Sequence, residues 1–119
     1  MATTQEIYEG LLDYQGQCNS NQRLRRIQRD WTRLLHFLAR DTGDWFTMRV
    51  VAGEITMVGS GREGTPDIIV TASSEDLCDM FWGDLNPTQK YLRGEIEVKA
   101  SQEDIMRLDA ITMIIWPEV

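Results

Sequence analysis

The residues of this chain that could take part in catalysis or hold a metal are few and widely separated. His36 is the one histidine, and it lies in an apolar segment without a neighbouring serine, cysteine or carboxylate. Cys18 and Cys78 form no Cys-x-x-Cys pair. Because a zinc site needs several converging ligands, this set does not indicate one. We expect a structural histidine and two free thiols.

Two pairs of adjacent acidic residues are candidates for general acid–base chemistry, but their positions explain them differently. Glu75-Asp76 follows Ser73, and Glu103-Asp104 follows Ser101, which is the pattern of a helix N-terminus. Negative charge in a first turn favours the helix dipole, so we interpret both pairs as capping residues. The glycine-rich segment 59–64 does not have phosphate-loop spacing. We therefore predict a protein that is not an enzyme and that needs no metal or cofactor.

Segment 66–99 combines strand-like and helix-like patterns in a fixed order. The β-rich run 67–72 predicts a strand, and a helix is expected from Ser73 to a left-handed Gly83. A second short helix should start at Asn86-Pro87 and end at Gly94. The alternation in 95–99 predicts a strand with one buried face. Large apolar side chains are concentrated on the two helices between these strands.

The rest of the chain completes a single α+β domain. Strand 32–39 is apolar on both faces, which is typical of a central strand. Segment 110–116 is apolar nearly all round, so we expect the domain's own core, a second copy of the protein or a bound lipid chain to cover it. The remaining predicted elements are a helix from Thr3 that ends at Gly16, a second helix from Asn19, strands at 46–50 and 54–58, and a last helix from Gln102 to about Trp116.

Composition and charge restrict the class of protein. A chain of 119 residues has the size of one domain, and we assign 1–119 to it, with 1–18 as an N-terminal helical extension. The net charge of −7 argues against a nucleic-acid partner. The N-terminus has neither a basic start nor an apolar run, so we expect a cytoplasmic location without a secretory signal.

Segment 23–40 differs from this acidic background. It holds six arginines and one aspartate, a local charge of +5, which leaves −12 for the rest of the chain. It is interpreted either as a solvated helix face or as a landing site for an anionic head group or an acidic membrane surface. Transient membrane contact is therefore one expected interaction.

The runs T-A-S-S-E-D-L and F-W-G-D-L-N-P-T-Q-K-Y-L-R-G-E-I-E-V resemble the central signature of the sterol carrier protein type 2 family, the nonspecific lipid-transfer domains. More loosely, the resemblance extends over residues 20 to 115. It rests on an ordered set of residues: Asp76, Leu77, Gly83, Leu85, Pro87, Gln89, Gly94, Ile96 and Val98.

This resemblance implies a five-stranded twisted mixed sheet of order 3-2-1-4-5, with helices on one face and a hydrophobic tunnel between sheet and helices. It also implies noncatalytic binding or transfer of a fatty acid, fatty acyl-coenzyme A, sterol or phospholipid. Gln89 would offer a polar contact near a head group. The predicted lipid-binding residues are Phe81, Trp82, Leu85, Gln89, Leu92, Ile105, Met106 and Met113.

A second hypothesis keeps the same fold but fills its core. The protein would then be an assembly module that forms a homodimer through its apolar C-terminal helix. The residues expected to be buried between subunits are Ile111, Ile114, Ile115 and Trp116.

Overall fold

The computed structural model describes residues 1–116 as five strands and five helices. The last three residues of the predicted domain, 117–119, lie outside the described residues. The strands are β1 (Arg33–Ala39), β2 (Asp44–Val51), β3 (Glu54–Ser60), β4 (Ile68–Ala72) and β5 (Glu97–Lys99). The helices are α1 (Thr4–Ser20), α2 (Gln22–Ile27), α3 (Ser74–Trp82), α4 (Thr88–Leu92) and α5 (Gln102–Ile115).

The strands form one mixed sheet of order β3-β2-β1-β4-β5, as predicted. Antiparallel pairs join β1 to β2, β2 to β3 and β4 to β5, whereas β1 and β4 are parallel. The middle strand β1 buries both of its faces over Leu34 to Phe37, which confirms its predicted central position. Because side chains alternate along a strand, Leu35 and Phe37 face the helices while Leu34 and His36 face the other side.

Helix α1 is longer than predicted. It continues through Gly16 to Ser20, and Asn21, not Asn19, caps α2 by accepting from the Leu24 N–H at 2.9 Å. The expected end at Gly16 was wrong because tertiary contacts outweigh the roughly 1 kcal/mol that a helical glycine costs. One such contact is made by Asn19, whose side chain bonds both the N–H and the C=O of Ile55 on the edge strand β3, each at 2.9 Å.

The starts of α3 and α5 follow the sequence closely, whereas α4 begins at Thr88, with Pro87 rather than Asn86 at its N-cap and no side-chain cap hydrogen bond. Ser73 and Ser101 each accept a backbone N–H at 3.1 Å, and Gly83 ends α3 with φ +85°. Strand β5 begins at Glu97 rather than 95, because the N–H groups of residues 95 and 96 bond back to the Lys90 carbonyl at 2.8 and 3.2 Å. The chain therefore completes the turn after α4 before it joins the sheet.

The sheet face opposite the helices is covered in part by the loop 61–67. His36 is buried there, and its Nε2 lies 2.9 Å from the backbone oxygen of Glu63. This contact gives the one histidine a structural role. None of the helices within residues 1–116 is both long enough and apolar enough to cross a membrane.

Candidate functional site

An apolar cavity of about 390 Å³ lies between the inner face of the sheet and the helices. Every strand and every helix of the fold contributes to its wall. A cavity of about 150 Å³ is already enough to bind benzene, and small-molecule sites usually span about 300–1,000 Å³. The space is therefore of ligand size and much larger than an ordinary packing defect.

The sheet side of this cavity is made by alternate residues of the strands. Because these side chains all point to the helical face, they form a continuous apolar floor. The floor residues are Leu35 and Phe37 from β1, Met48 and Val50 from β2, Ile55 from β3, Val70 from β4 and Val98 from β5, with Ile96 just before β5.

Helices α4 and α5 form part of the opposite wall, and they are only partly buried. No residue of α4 is fully buried, and Asp104 is the one fully buried residue of α5. The apolar residues Ile105, Leu108 and Ile111 of α5 line the cavity yet are only half-buried. A helix that is apolar nearly all round is normally covered. Here the domain's own core covers part of α5, and the rest of its apolar surface faces the cavity.

The N-terminal half of α5 is fixed to the start of β1 by a buried carboxylate. Asp104 accepts from the Trp31 indole Nε1 and from the Arg33 Nε, both at 3.0 Å. Desolvation alone would raise the pKa of Asp104, but these hydrogen bonds and the Arg33 charge hold the pKa below its ordinary value. The expectation that Glu103-Asp104 only caps the helix was therefore incomplete, because the Asp104 carboxylate joins two elements.

A second polar contact holds the same half of α5 to α2 and the residues after it. Arg107 donates to both carboxylate oxygens of Asp30, at 2.9 and 3.0 Å, and to the Gln28 Oε1 at 2.9 Å. Gln28 is buried, and its Nε2 donates to the Arg107 carbonyl at 3.2 Å. Because both the Nε2 and the Oε1 of Gln28 have a hydrogen-bond partner, this side chain leaves no unpaired polar group in the cavity wall.

The C-terminal end of α5 closes on a column of four aromatic rings. Trp116 stacks on Tyr14 at 5.9 Å between centroids, and Tyr14 lies 5.7 Å from Phe81. Phe81 meets Phe37 edge-on at 5.0 Å. All four residues line the cavity. This aromatic column (Trp116, Tyr14, Phe81 and Phe37) connects α5 through α1 and α3 to the sheet.

Next to the aromatic column, the cavity wall disfavours negative charge. Desolvation raises the pKa of Tyr14 well above its ordinary value and that of Cys18 to about 12. Cys18 is therefore a neutral thiol at physiological pH and not an activated nucleophile. Within residues 1–116 no group of three or more His, Cys, Asp or Glu side chains is placed to hold a metal ion.

The predicted lipid-binding residues divide into two sets. Phe81, Leu92, Ile105 and Met106 line the cavity. The others lie outside its wall: Trp82, Leu85, Gln89 and Met113. Leu92 on α4 and Met106 on α5 are 69% and 65% exposed, so they line the cavity where it reaches the protein surface rather than in its interior.

Prediction from segment 66–99 and α5 left out the contribution of the first half of the chain. Tyr14, Cys18 and Leu24 reach the cavity from α1 and α2. The period-two pattern of the strands could have identified the floor, because it already separated the two faces of the sheet. The helical residues carry no such signal, since their place depends on how the helices cross the sheet.

The residues proposed for a dimer contact already pack in part against the protein's own core. Ile111, Ile114, Ile115 and Trp116 are half-buried and pack against it. Dimerisation through α5 stays a prediction.

Two arginines of the arginine-rich segment 23–40 make hydrogen bonds that hold elements of the fold together. Arg33 bonds Asp104, and Arg40 donates to the carbonyls of Thr71 and Glu95 at 3.2 and 2.7 Å. Arg23 and Arg26 on α2 are exposed. Among residues 1–116, no arginine lines the cavity.

Comparison with known proteins gives one family and a consistent fold. The model of the SCP-2 sterol transfer family matches residues 13–112. A comparison with curated protein sequences gives no significant match.

Among solved structures, three similar ones have the same fold. The solution structure of sterol carrier protein domain 2 of Helicoverpa armigera has a TM-score of 0.70 at 18% identity, over 99% of this chain and 95% of that chain. A crystal structure of sterol carrier protein 2 has a TM-score of 0.67 at 14% identity, over 94% and 97% of the two chains. The solution structure of palmitated SCP2L2 from Aedes aegypti has a TM-score of 0.66 at 17% identity, over 93% and 95%.

Proposed function

The chain belongs to the SCP-2 sterol transfer family, and we propose that it binds a lipid noncatalytically in the cavity between sheet and helices and passes it on. The candidate ligands are those that the family implies: a fatty acid, a fatty acyl-coenzyme A, a sterol or a phospholipid. The Aedes aegypti structure, described as palmitated, is a relative in fold for which a lipid chain is stated.

The observation that carries this proposal is the cavity of about 390 Å³ beneath two helices that are only partly buried, with Asp104 as their one fully buried residue. A closed interior would press Ile105, Leu108 and Ile111 against the sheet. Half-buried side chains around an empty apolar volume are instead the arrangement that a guest chain can complete, because the guest removes apolar surface from water on both sides.

The expected affinity follows from the apolar surface that a lipid chain would bury. About 14 methylenes at about 0.8 kcal/mol each contribute roughly 11 kcal/mol. Association costs at least about 4 kcal/mol, which leaves about 7 kcal/mol, equivalent to a dissociation constant of about 10 μM. Such an affinity requires no specific polar contact.

The exposed apolar side chains of Leu92, Met106 and Tyr91 support a mouth between α4 and α5. Each of these residues belongs both to the cavity wall and to the surface. A lipid leaving the cavity there would pass over apolar surface, which suits release to a membrane or another carrier.

The test is a titration of delipidated protein with a fluorescent fatty acid, in wild type and in Ile111→Trp. Ile111 lines the cavity from α5, so the larger indole should fill part of the space and weaken binding at least tenfold. Thr56→Trp is the matched control, because Thr56 is exposed on β3 and is not among the lining residues. No saturable binding by wild type up to the solubility of the probe would refute the function. Equal weakening in both variants would refute the site.

Native mass spectrometry of freshly purified protein distinguishes lipid carriage from assembly. We expect a monomer with added mass in the range of a lipid. A dimer without added mass would favour the assembly hypothesis.

A further inference from the structure

The residues at which the cavity reaches the protein surface carry one charge, and it is negative. Most lining residues are buried or half-buried, whereas the exposed ones all belong to α4 and α5. These exposed lining residues, which we call the rim, are Tyr91, Leu92, Gln102, Met106 and Asp109. No lysine, arginine or histidine among residues 1–116 lines any part of the cavity. The Asp109 carboxylate therefore has no counter-charge in the wall.

The position of Asp109 on α5 places its side chain at this opening. Residues three and four positions apart share one face of a helix. Ile105, Met106 and Thr112, at i−4, i−3 and i+3 from Asp109, all line the cavity. Ile105 and Thr112 are half-buried, whereas Asp109 is exposed. Its carboxylate therefore lies at the outer edge of the lining, where the wall meets solvent.

The cations next to the rim residues in the chain do not offset this charge. There are three of them, and each is already paired with a carboxylate. The pairs, with N–O distances of 3.1, 2.8 and 2.9 Å, are Lys90 with Asp76, Arg93 with Glu95, and Arg107 with Asp30. Asp109 takes part in none of the ion pairs formed within residues 1–116. A ligand at the rim would therefore meet an unpaired carboxylate.

The interior of the cavity offers an anionic group no better place. Its wall holds no cation, and desolvation raises the pKa of the Cys18 thiol to about 12. Burying an anion there without a partner is costly. A lipid with an ionised head group would therefore leave that group at the rim, beside Asp109.

We propose that Asp109 is a specificity-determining residue, which disfavours lipids with an anionic head group and favours those whose group at the rim is uncharged or cationic. This inference rests on the proposed lipid binding and narrows its ligands. A long-chain alcohol or ester would be preferred to an ionised fatty acid of the same length. At about 6 Å in a water-like dielectric, one unit charge changes the binding constant of another by about threefold. A cationic and an anionic ligand of equal length should therefore differ about tenfold.

The test compares dodecylammonium, 1-dodecanol and dodecanoate at about pH 7, where the amine is protonated and the acid is ionised. Dissociation constants are measured at about 10 mM ionic strength by displacement of an uncharged fluorescent dye such as Nile red. In wild type, dodecylammonium should bind about tenfold more tightly than dodecanoate, and in Asp109→Asn this ratio should fall to about one. The affinity for 1-dodecanol should change by no more than about twofold, because the variant keeps the shape of the wall. A loss of affinity for all three ligands alike would mark a structural role and overturn the proposal.

The matched control is Glu9→Gln, which removes the same charge from an exposed position on α1 outside the cavity wall. It should keep the tenfold ratio. In wild type the ratio should fall to about one at about 1 M salt, where the Debye length is only about 3 Å. A ratio of one in wild type at low salt, an unchanged ratio in Asp109→Asn, or an equal fall in both variants would overturn the role of Asp109. If wild type binds neither the dye nor 1-dodecanol, the proposed lipid binding itself fails, and the two failures are thus distinguishable.

Discussion

Asp104 offers the sharpest test of how the cavity-covering helix is attached. Its carboxylate is 4% exposed and accepts from the Trp31 Nε1 and the Arg33 Nε, both at 3.0 Å. In Asp104→Ala the buried indole N–H has no partner, which costs about 1–3 kcal/mol. The Arg33 guanidinium also loses its ion pair, but it is 29% exposed and can be rehydrated, so its loss adds about 1 kcal/mol.

We expect Asp104→Ala to lower the free energy of unfolding by about 3 kcal/mol, or the midpoint of thermal unfolding by about 12 °C for a domain of this size. Asp104→Asn should lose less, about 1–2 kcal/mol, because its amide oxygen still accepts from Trp31 while its NH₂ faces Arg33. Urea unfolding at neutral pH, followed by tryptophan fluorescence, measures both variants.

The matched control is Glu103→Ala, on the same helical turn. Glu103 is exposed, so its loss should change stability by no more than about 0.5 kcal/mol. An alanine variant of Asp104 within 1 kcal/mol of wild type, or as stable as the control, would refute the reasoning.

The same contact predicts a pH dependence. Because the pKa of Asp104 is lower in the folded protein than its ordinary value, its contribution to stability is present above the unfolded pKa of about 3.9. The contribution is lost as the pH falls through the folded pKa. The stability difference between wild type and Asp104→Asn should therefore be constant near neutral pH and shrink below about pH 4. A difference that stays constant into that acidic range would contradict the assigned sign.

Two further comparisons test the site and the fold. Met113→Trp lies on the same helix as Ile111→Trp and should change the lipid affinity by no more than about twofold, because Met113 is 69% exposed and outside the cavity wall. A loss of affinity as large as that of Ile111→Trp would show that Met113 contacts the lipid after all. Gly53→Ala should destabilise the protein by more than about 2 kcal/mol, because φ is +78° and a Cβ would lie 2.6 Å from the Gln28 backbone oxygen. Gly43→Ala, with φ +77° and open space, should cost only about 1 kcal/mol in urea unfolding, and equal costs would argue against the close approach.

The strands of the sheet could be predicted because the alternation of their side chains is visible within each short segment. Alternation in 46–50 and the two apolar faces of 32–39 follow from side-chain direction alone, and the serine caps at 73 and 101 follow from the hydrogen-bonding needs of a helix start. The strand order came from the family resemblance, since nothing local in the sequence makes β1 and β4 neighbours.

The sequence-based predictions were wrong or incomplete where a side chain bonds a residue that is far away in the sequence. Asn19 has the sequence character of a cap, but its amide instead pairs with Ile55 on the open edge of β3. Asp104 likewise has the position of a capping residue and the contacts of a buried anchor. Each of these roles depends on tertiary contacts that local spacing does not encode.

Under the proposed function, the stacked rings that end at Trp116 would close one end of the cavity and so limit the length of the lipid that it holds. A molecule that reaches these rings would extend along about ten residues of the last helix, about 15 Å, before it meets Leu92 and Met106 at the surface. Shorter molecules would be enclosed entirely, whereas longer ones would protrude between α4 and α5. An acceptor could bind the protruding part and so withdraw the molecule. The number of carbons in the lipid, rather than a recognition motif, would then determine which lipids are transferred.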